Sequence, residues 1–336
     1  MTLRRRTHAA PRPAPALLCV EGLSVRFTSP GREGVVVRDL DLAVDRGETL
    51  TLVGESGSGK SVCVRALTGL LPPQIAAVSG RALWEGRDLL TMPPARRREI
   101  LGAGIGMVFQ EPAIALSPTR TIGRLLTEVL TQRTGDRGDA AKARALQALA
   151  EAGIPDPGAV ASSYCWQLSG GLAQRAAIAA AMILAPALLV ADEPTTALDV
   201  TTQAALVRSL VALTRRRGMA LLFITHDLSL ARLLPGRTLV LYAGRRVEEG
   251  PAAAVLDRPR HPYTGALMGC VPGRAVDRGA LLRPLPGRLP LPGEEATGCP
   301  FAPRCSRAGA RCAQMPQPAT VDGRVVACHH PLEDEP

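Results

Sequence analysis

Eight consecutive residues, Gly54, Glu55, Ser56, Gly57, Ser58, Gly59, Lys60 and Ser61, constrain this chain more than any other stretch. They fit the pattern G-x-x-x-x-G-K-[S/T], in which small residues let backbone N–H groups close around phosphate oxygens at a helix N-terminus. The flanks suit it: residues 49–53 are a short apolar, β-prone run, and residues 62–71 can continue as a helix. Such a strand–loop–helix unit implies an α/β fold that binds the phosphates of a nucleotide. Lys60 would reach the outer phosphates and the Ser61 hydroxyl would hold Mg²⁺. Of 40 basic residues only Lys60 and Lys142 are lysines. A chain that otherwise uses arginine keeps lysine where a compact point charge must enter a crowded anion pocket.

The chain's 336 residues suffice for one large domain and an appendage. With 46% hydrophobic but 3% aromatic residues, the core should be aliphatic. No run is long enough to span a bilayer; residues 176–191 are uncharged but interrupted by Pro186. Residues 1–16, with Arg4, Arg5, Arg6 and Arg12, are expected to be a flexible basic tail without an export signal, which argues for a cytoplasmic protein. The net charge of +10 comes from scattered arginine clusters without aromatic interleaving. That pattern supports generic anion affinity, equally suited to anionic headgroups, and no specific nucleic acid.

Residues 17–27 and 35–44, separated by a Pro-Gly turn, read as antiparallel strands leaning on the nucleotide-binding core. Phe27 falls where an aromatic would stack on a base, and a buried strand phenylalanine explains it equally well. Residues 78–90 read as a further strand and turn with Trp84 as anchor, and 104–109 as a buried strand ending on Gln110. Residues 121–152 have helical spacing, so a helical subdomain is expected over about 91–168. Strands at 187–191, 219–224 and 237–242 alternate with helices, as in a parallel sheet covered on both faces. Beyond residue 250 the chain turns rich in Pro, Arg, Gly and Cys, with little regular periodicity beyond 264–268, a small region that needs a staple.

Asp192 and Glu193 follow four apolar residues and so stand at a buried strand's C-terminal edge, where a parallel sheet also carries its phosphate loop. Asp192 suits Mg²⁺, and Glu193 suits orienting and deprotonating an attacking water. Gln110 and His226, at the ends of other strands, suit Mg²⁺ with the lytic water and the γ-phosphate. Ser169, Gly170 and Gly171 open another helix and form a second anion-binding element. One nucleotide does not need two, so the second is expected to serve a neighbouring molecule.

The run Leu168-Ser-Gly-Gly171 before Ala191-Asp-Glu-Pro-Thr-Thr-Ala-Leu-Asp199, with Gln110 and His226, closely resembles the ATP-binding cassette family over residues 17–252. The resemblance implies a P-loop NTPase with a RecA-like parallel core, an antiparallel β-subdomain and a helical subdomain. It also implies a head-to-tail dimer in which Ser169, Gly170 and Gly171 complete the partner's ATP site and Asp199 communicates across the interface. Tyr164-Cys-Trp166 and Ala173 depart from the usual pattern without removing a catalytic group.

The tail, Arg258-Pro-Arg-His261-Pro-Tyr-Thr264, Pro284-Leu-Pro-Gly287 and Gly298-Cys-Pro-Phe-Ala-Pro-Arg-Cys305, is similar to the C-terminal region of oligopeptide, dipeptide and nickel importer ATPases. That resemblance implies a peripheral subunit on the cytoplasmic side of the membrane, working with two permease subunits and an extracytoplasmic solute-binding protein. Its second ATPase is a different chain in preference to a copy. It implies peptides as the solute, with nickel or another small solute as the alternative.

Some members hold a 4Fe–4S cluster on four cysteines, matching Cys299, Cys305, Cys312 and Cys328 here, in the extension at 253–336. Four of the eight cysteines fall in the last 38 residues. Their spacing lacks the C-x-x-C of common zinc modules. Zinc on the same thiolates, with His329 or His330 as substitute ligand, and unliganded thiols stay open. Two other classes also remain: a soluble cassette ATPase acting on nucleic acid, and an iron–sulfur redox sensor with secondary ATP binding.

Overall fold

The computed structural model describes residues 16–28, 33–196, 198–271, 285–294 and 297–333. Residues 1–15 of the expected tail at 1–16, most of the first Pro-Gly turn, and Pro284 lie outside them. The chain opens with β1 (Leu18–Phe27) and β2 (Gly34–Val44), followed by β3 (Thr49–Val53), which enters the phosphate loop, and α1 (Lys60–Leu67), which leaves it. Next come β4 (Ala76–Trp84) and β5 (Arg87–Asp88). With β1 and β2 they form a four-stranded antiparallel sheet, ordered β2-β1-β4-β5. Trp84 is buried in it, as its place in a strand requires.

After α2 (Pro94–Ala103), β6 (Ile105–Val108) returns to the core. The helical layer holds the short α3 (Pro112–Ala115), then α4 (Ile122–Thr134), α5 (Gly138–Glu151) and α6 (Pro157–Ser162). Thus β6, although inside the span expected to be helical, belongs to the main sheet. Helix α7 (Gly170–Met182) leads to β7 (Leu188–Asp192), α8 (Val200–Arg216) to β8 (Ala220–Thr225), and α9 (Leu228–Ala231) to β9 (Arg237–Tyr242).

The main sheet places β3 between β8 and β9, with β7 and β6 beyond β8, all parallel. Its residues alternate between two apolar layers because successive side chains of a strand face opposite ways. Leu188, Val190, Leu222 and Ile224 pack with α1 and the antiparallel sheet. Leu189, Ala191, Leu221 and Phe223 pack with α4, α5, α7 and α8. Burial on both faces explains why these strands are uninterrupted apolar runs.

Apart from the periodic run at 264–268, the C-terminal residues add regular structure that sequence periodicity did not disclose. β10 (Arg245–Pro251) pairs antiparallel with β9, α10 (Ala252–Asp257) and α11 (Pro262–Gly269) follow, and the hairpin β11 (Ala319–Val321) and β12 (Arg324–Val326) pairs onto β10. The extension therefore widens the main sheet to eight strands. A third apolar cluster, with Val53, Val240, Tyr242, Tyr263, Met268 and Phe301, joins it to the parallel core.

Candidate active site

The phosphate loop needs glycine at its ends. Gly54 has φ 155°, and a Cβ there would sit 2.2 Å from the Leu241 carbonyl oxygen; Gly59, at φ 104°, caps α1. The left-handed backbone and the close approach both exclude a side chain. Lys60 Nζ donates to Gly54 O (2.8 Å) and Glu55 O (3.0 Å) and lies 3.9 Å from Glu193 Oε1. Burial lowers the Lys60 pKa, opposed by the charges of Glu193, Asp192 and Glu55.

The end of β7 brings two carboxylates to this ammonium, and the end of β8 brings a histidine. Ser61 Oγ donates to Asp192 Oδ1 at 2.7 Å. Burial raises the Asp192 pKa, with the Ser61 hydrogen bond pulling the other way. A carboxylate buried at such cost is a natural seat for a cation. Beneath it Cys63 is fully buried, its thiol pushed up to about 12 by burial and then by Asp192; it fills space and is no nucleophile. Glu193 follows β7 in a left-handed conformation, φ 48°, with its N–H donating to Ile224 O of β8 at 3.0 Å. Its Oε2 lies 3.0 Å from His226 Nδ1. Lys60, Glu193 and His226 are thus one contact chain, with the Ser61–Asp192 hydrogen bond beside it.

Gln110 is exposed two residues beyond β6, at the same sheet edge. Phe27 ends β1, partly buried against the apolar cluster under the antiparallel sheet. Ser169 is the exposed N-cap of α7, accepting the Leu172 N–H at 3.4 Å, and Gly170 and Gly171 form the first turn. Among the described residues no hydrogen bond or ion pair joins this turn to the phosphate loop. Asp199 caps α8, accepting from Thr202 N (3.0 Å) and Thr202 Oγ1 (2.7 Å). The Thr201 and Thr202 hydroxyls hold its carboxyl well below the usual range.

Cys299, Cys305, Cys312 and Cys328 are all free thiols. Cys299 N donates to Cys312 O at 2.9 Å. Burial raises the pKa of Cys299 and Cys305 and lifts Cys328 to about 11, with neighbouring thiols adding to each rise. Among the described residues no three His, Cys, Asp or Glu converge on a point that would hold a metal ion.

Two contacts to the phosphate loop escape sequence reasoning altogether. Arg304 forms a fork with the Glu55 carboxylate, and the Tyr263 hydroxyl accepts the Glu55 N–H. Both partners lie more than 200 residues from the loop, beyond the reach of any local signal.

Residues 37–196 match the family described as ABC transporter, and residues 247–312 match the oligopeptide/dipeptide transporter C-terminal region. The chain is 41% identical over 322 residues to the dipeptide transport ATP-binding protein DppD of Escherichia coli (strain K12), covering 95% of this chain and 98% of that one. To DppD of Bacillus subtilis (strain 168) it is 41% identical over 315 residues, covering 93% and 94%. A dimeric structure of the ATP-binding cassette MJ0796 in a post-hydrolysis state bound to ADP and Pi is similar in fold. It has a TM-score of 0.62 at 26% identity, over 70% of this chain and 98% of that one. With identity sustained along nearly the whole of both chains, and both the cassette and its C-terminal region matched, this chain belongs to the ABC transporter family, as an ATP-hydrolysing subunit of its oligopeptide/dipeptide importer branch.

Proposed function

We propose that the chain energises uptake of peptides across the cytoplasmic membrane, as one ATPase of an importer with a second, different ATPase, two permeases and an extracytoplasmic solute-binding protein. The observation that carries the hydrolytic part is the contact chain Lys60–Glu193–His226 beside the Ser61–Asp192 hydrogen bond. The peptide assignment rests on the named relatives and the matched C-terminal region. Among the described residues no helix is long and apolar enough to cross a membrane, so the permeases would supply the membrane path and this chain would sit against their cytoplasmic side.

In this reading Glu193 orients and deprotonates the water that attacks the γ-phosphate in line, while Lys60 and His226 stabilise the charge that develops on its oxygens. Ser61, Asp192 and Gln110 would hold Mg²⁺, which when bound would supply positive charge against the phosphate oxygens. The 54–61 loop wraps the phosphates and Phe27 stacks on the base. Ser169 and Gly170, both exposed, and the half-buried Gly171 complete the partner's nucleotide site, with Asp199 reporting across the interface.

Cys299, Cys305, Cys312 and Cys328 would hold a 4Fe–4S cluster that staples the extension. The reading rests on the four-thiolate set, whose sequence intervals lack the tight pairs of common zinc modules, and on the backbone hydrogen bond that joins Cys299 to Cys312. The decisive experiment is ATPase assay of the chain purified with its partners in lipid. Peptide-loaded binding protein should stimulate hydrolysis; stimulation by nickel and not by peptides would overturn the substrate class.

A further inference from the structure

The phosphate loop is gripped from outside as well as from within. Glu55, its second residue, meets Arg304 in a bidentate fork, Nη1 to Oε2 at 2.7 Å and Nη2 to Oε1 at 2.8 Å. The Arg304 side chain is only 5% exposed. Its Nε donates to Pro286 O at 2.7 Å, and its guanidinium carbon lies 5.8 Å from the centre of the Tyr242 ring. The fully buried Tyr263 accepts the Glu55 N–H at 2.9 Å, and Lys60 Nζ takes the Glu55 carbonyl at 3.0 Å. The Glu55 residue is therefore held at its N–H, its carbonyl and its side chain, two of the three by the C-terminal extension. Leu289 closes over the next glycine: a Cβ on Gly57 would be 3.6 Å from Leu289 Cδ2.

We propose that Arg304 and Tyr263 are positioning residues for the nucleotide site, through which the extension braces the phosphate loop in its phosphate-accepting shape. A loop with three glycines loses much conformational freedom when it closes on a ligand, and a brace that fixes it beforehand removes part of that cost. The brace touches neither the attacking water nor the reacting phosphorus. Its contribution is the same in ground and transition states and falls on nucleotide affinity, not on the chemical step. Because linkage is reciprocal, nucleotide in the loop must also steady the extension. The inference rests on the reading of residues 54–61 as the ATP site.

The test combines steady-state ATPase of the complete transporter with amide hydrogen exchange of the full chain. Arg304→Ala should raise the KM for MgATP about 5- to 20-fold with kcat within about twofold of the parent. Tyr263→Phe, which keeps the ring in the core and removes only the hydroxyl, should raise KM in the same sense by a smaller factor. Arg288→Ala is the control: its fork to Glu294 is exposed and makes no contact with Glu55, so its KM should match the parent. MgADP should slow exchange across the Ala302–Arg304 turn in the parent and leave it unchanged in Arg304→Ala. Should Arg304→Ala fail to fold, Tyr263→Phe carries both readouts. Parental KM in the folded variants, an equal rise in Arg288→Ala, or a fall confined to kcat overturns the proposal. So does MgADP protection that survives loss of the fork. A parent chain that binds no nucleotide at all would instead remove the site reading on which the inference stands.

Discussion

His226 Nδ1 lies 3.0 Å from Glu193 Oε2, tying a half-exposed ring at the end of β8 to a carboxylate only 13% exposed at the end of β7. Glu193 holds this position at φ 48°. A non-glycine residue pays about 1–3 kcal/mol for such a conformation, and strain of this kind collects where chemistry is done. The backbone aims the carboxylate and the histidine keeps it aimed.

Glu193→Gln preserves size and the contact to His226 but removes the base. Turnover by the assembled transporter should fall about 10²- to 10⁴-fold while MgATP binding persists. Parallel ATPase and equilibrium nucleotide-binding measurements check it. Turnover near the parental rate would assign the base elsewhere.

Ser169→Arg should spare the chain's own phosphate loop and fill the anion site offered to the partner. Nucleotide binding by the separate chain should stay at the parental affinity, while MgATP-driven association with the second ATPase is lost. Calorimetry and size-exclusion chromatography in a Glu193→Gln background read the two quantities. Loss of the chain's own nucleotide binding would contradict completion in trans. Losing the cap itself should cost only about 0.5–2 kcal/mol of stability.

Acidification should loosen the extension through His261. Burial holds its pKa at about 4 against an ordinary 6.5. Between those values the unfolded chain takes up a proton that the native chain refuses, so stability present above pH 6.5 is lost as pH falls towards 4, by about 3 kcal/mol from this group. Its neighbour Glu248, which accepts the His261 N–H at 2.9 Å and lies 3.6 Å from Arg324, works in the opposite sense. Burial raises the Glu248 pKa, so the native chain gains its proton first. Urea midpoints of the parent and His261→Asn across this window isolate the histidine, because asparagine can still cap α11 without titrating. Parallel curves for the two chains would refute the assignment.

Anaerobically purified protein should contain iron and acid-labile sulfide in equal amounts, and Cys328→Ser should lose most of both. Elemental analysis decides the matter: stoichiometric zinc without sulfide would replace the cluster by a single ion, and neither metal would leave the cysteines as packing residues.

The catalytic edge could be read from sequence because each part is a short contiguous run: a phosphate loop after an apolar strand, two carboxylates after another, a histidine after a third. The strands of the parallel core were equally open, since burial on both faces leaves an unbroken apolar string. The hairpin of β11 and β12 was not. Its strands are three residues each, too short to show a period, and they become sheet only because β10 offers an unpaired edge, a tertiary effect that local propensity does not carry. Arg304 and Tyr263 were hidden for a related reason. Their partner Glu55 is 249 and 208 residues away, and nothing in an arginine or tyrosine says which distant carboxylate or amide it will meet. The left-handed Glu193 was likewise invisible, because a glutamate after a strand normally continues or turns without strain.

The pairing of β12 onto β10 also sets a timetable. The ribosome finishes β10 at Pro251 and reaches Val326 only 75 residues later, which at bacterial or eukaryotic speeds takes about 4–15 seconds. Through that interval a nascent chain with its ATP-binding core already made shows an open row of backbone donors and acceptors along one margin. Neighbouring nascent copies on the same messenger carry the same margin, and margin-to-margin pairing is the accident such a gap invites. Translation of the last strand ends the exposure.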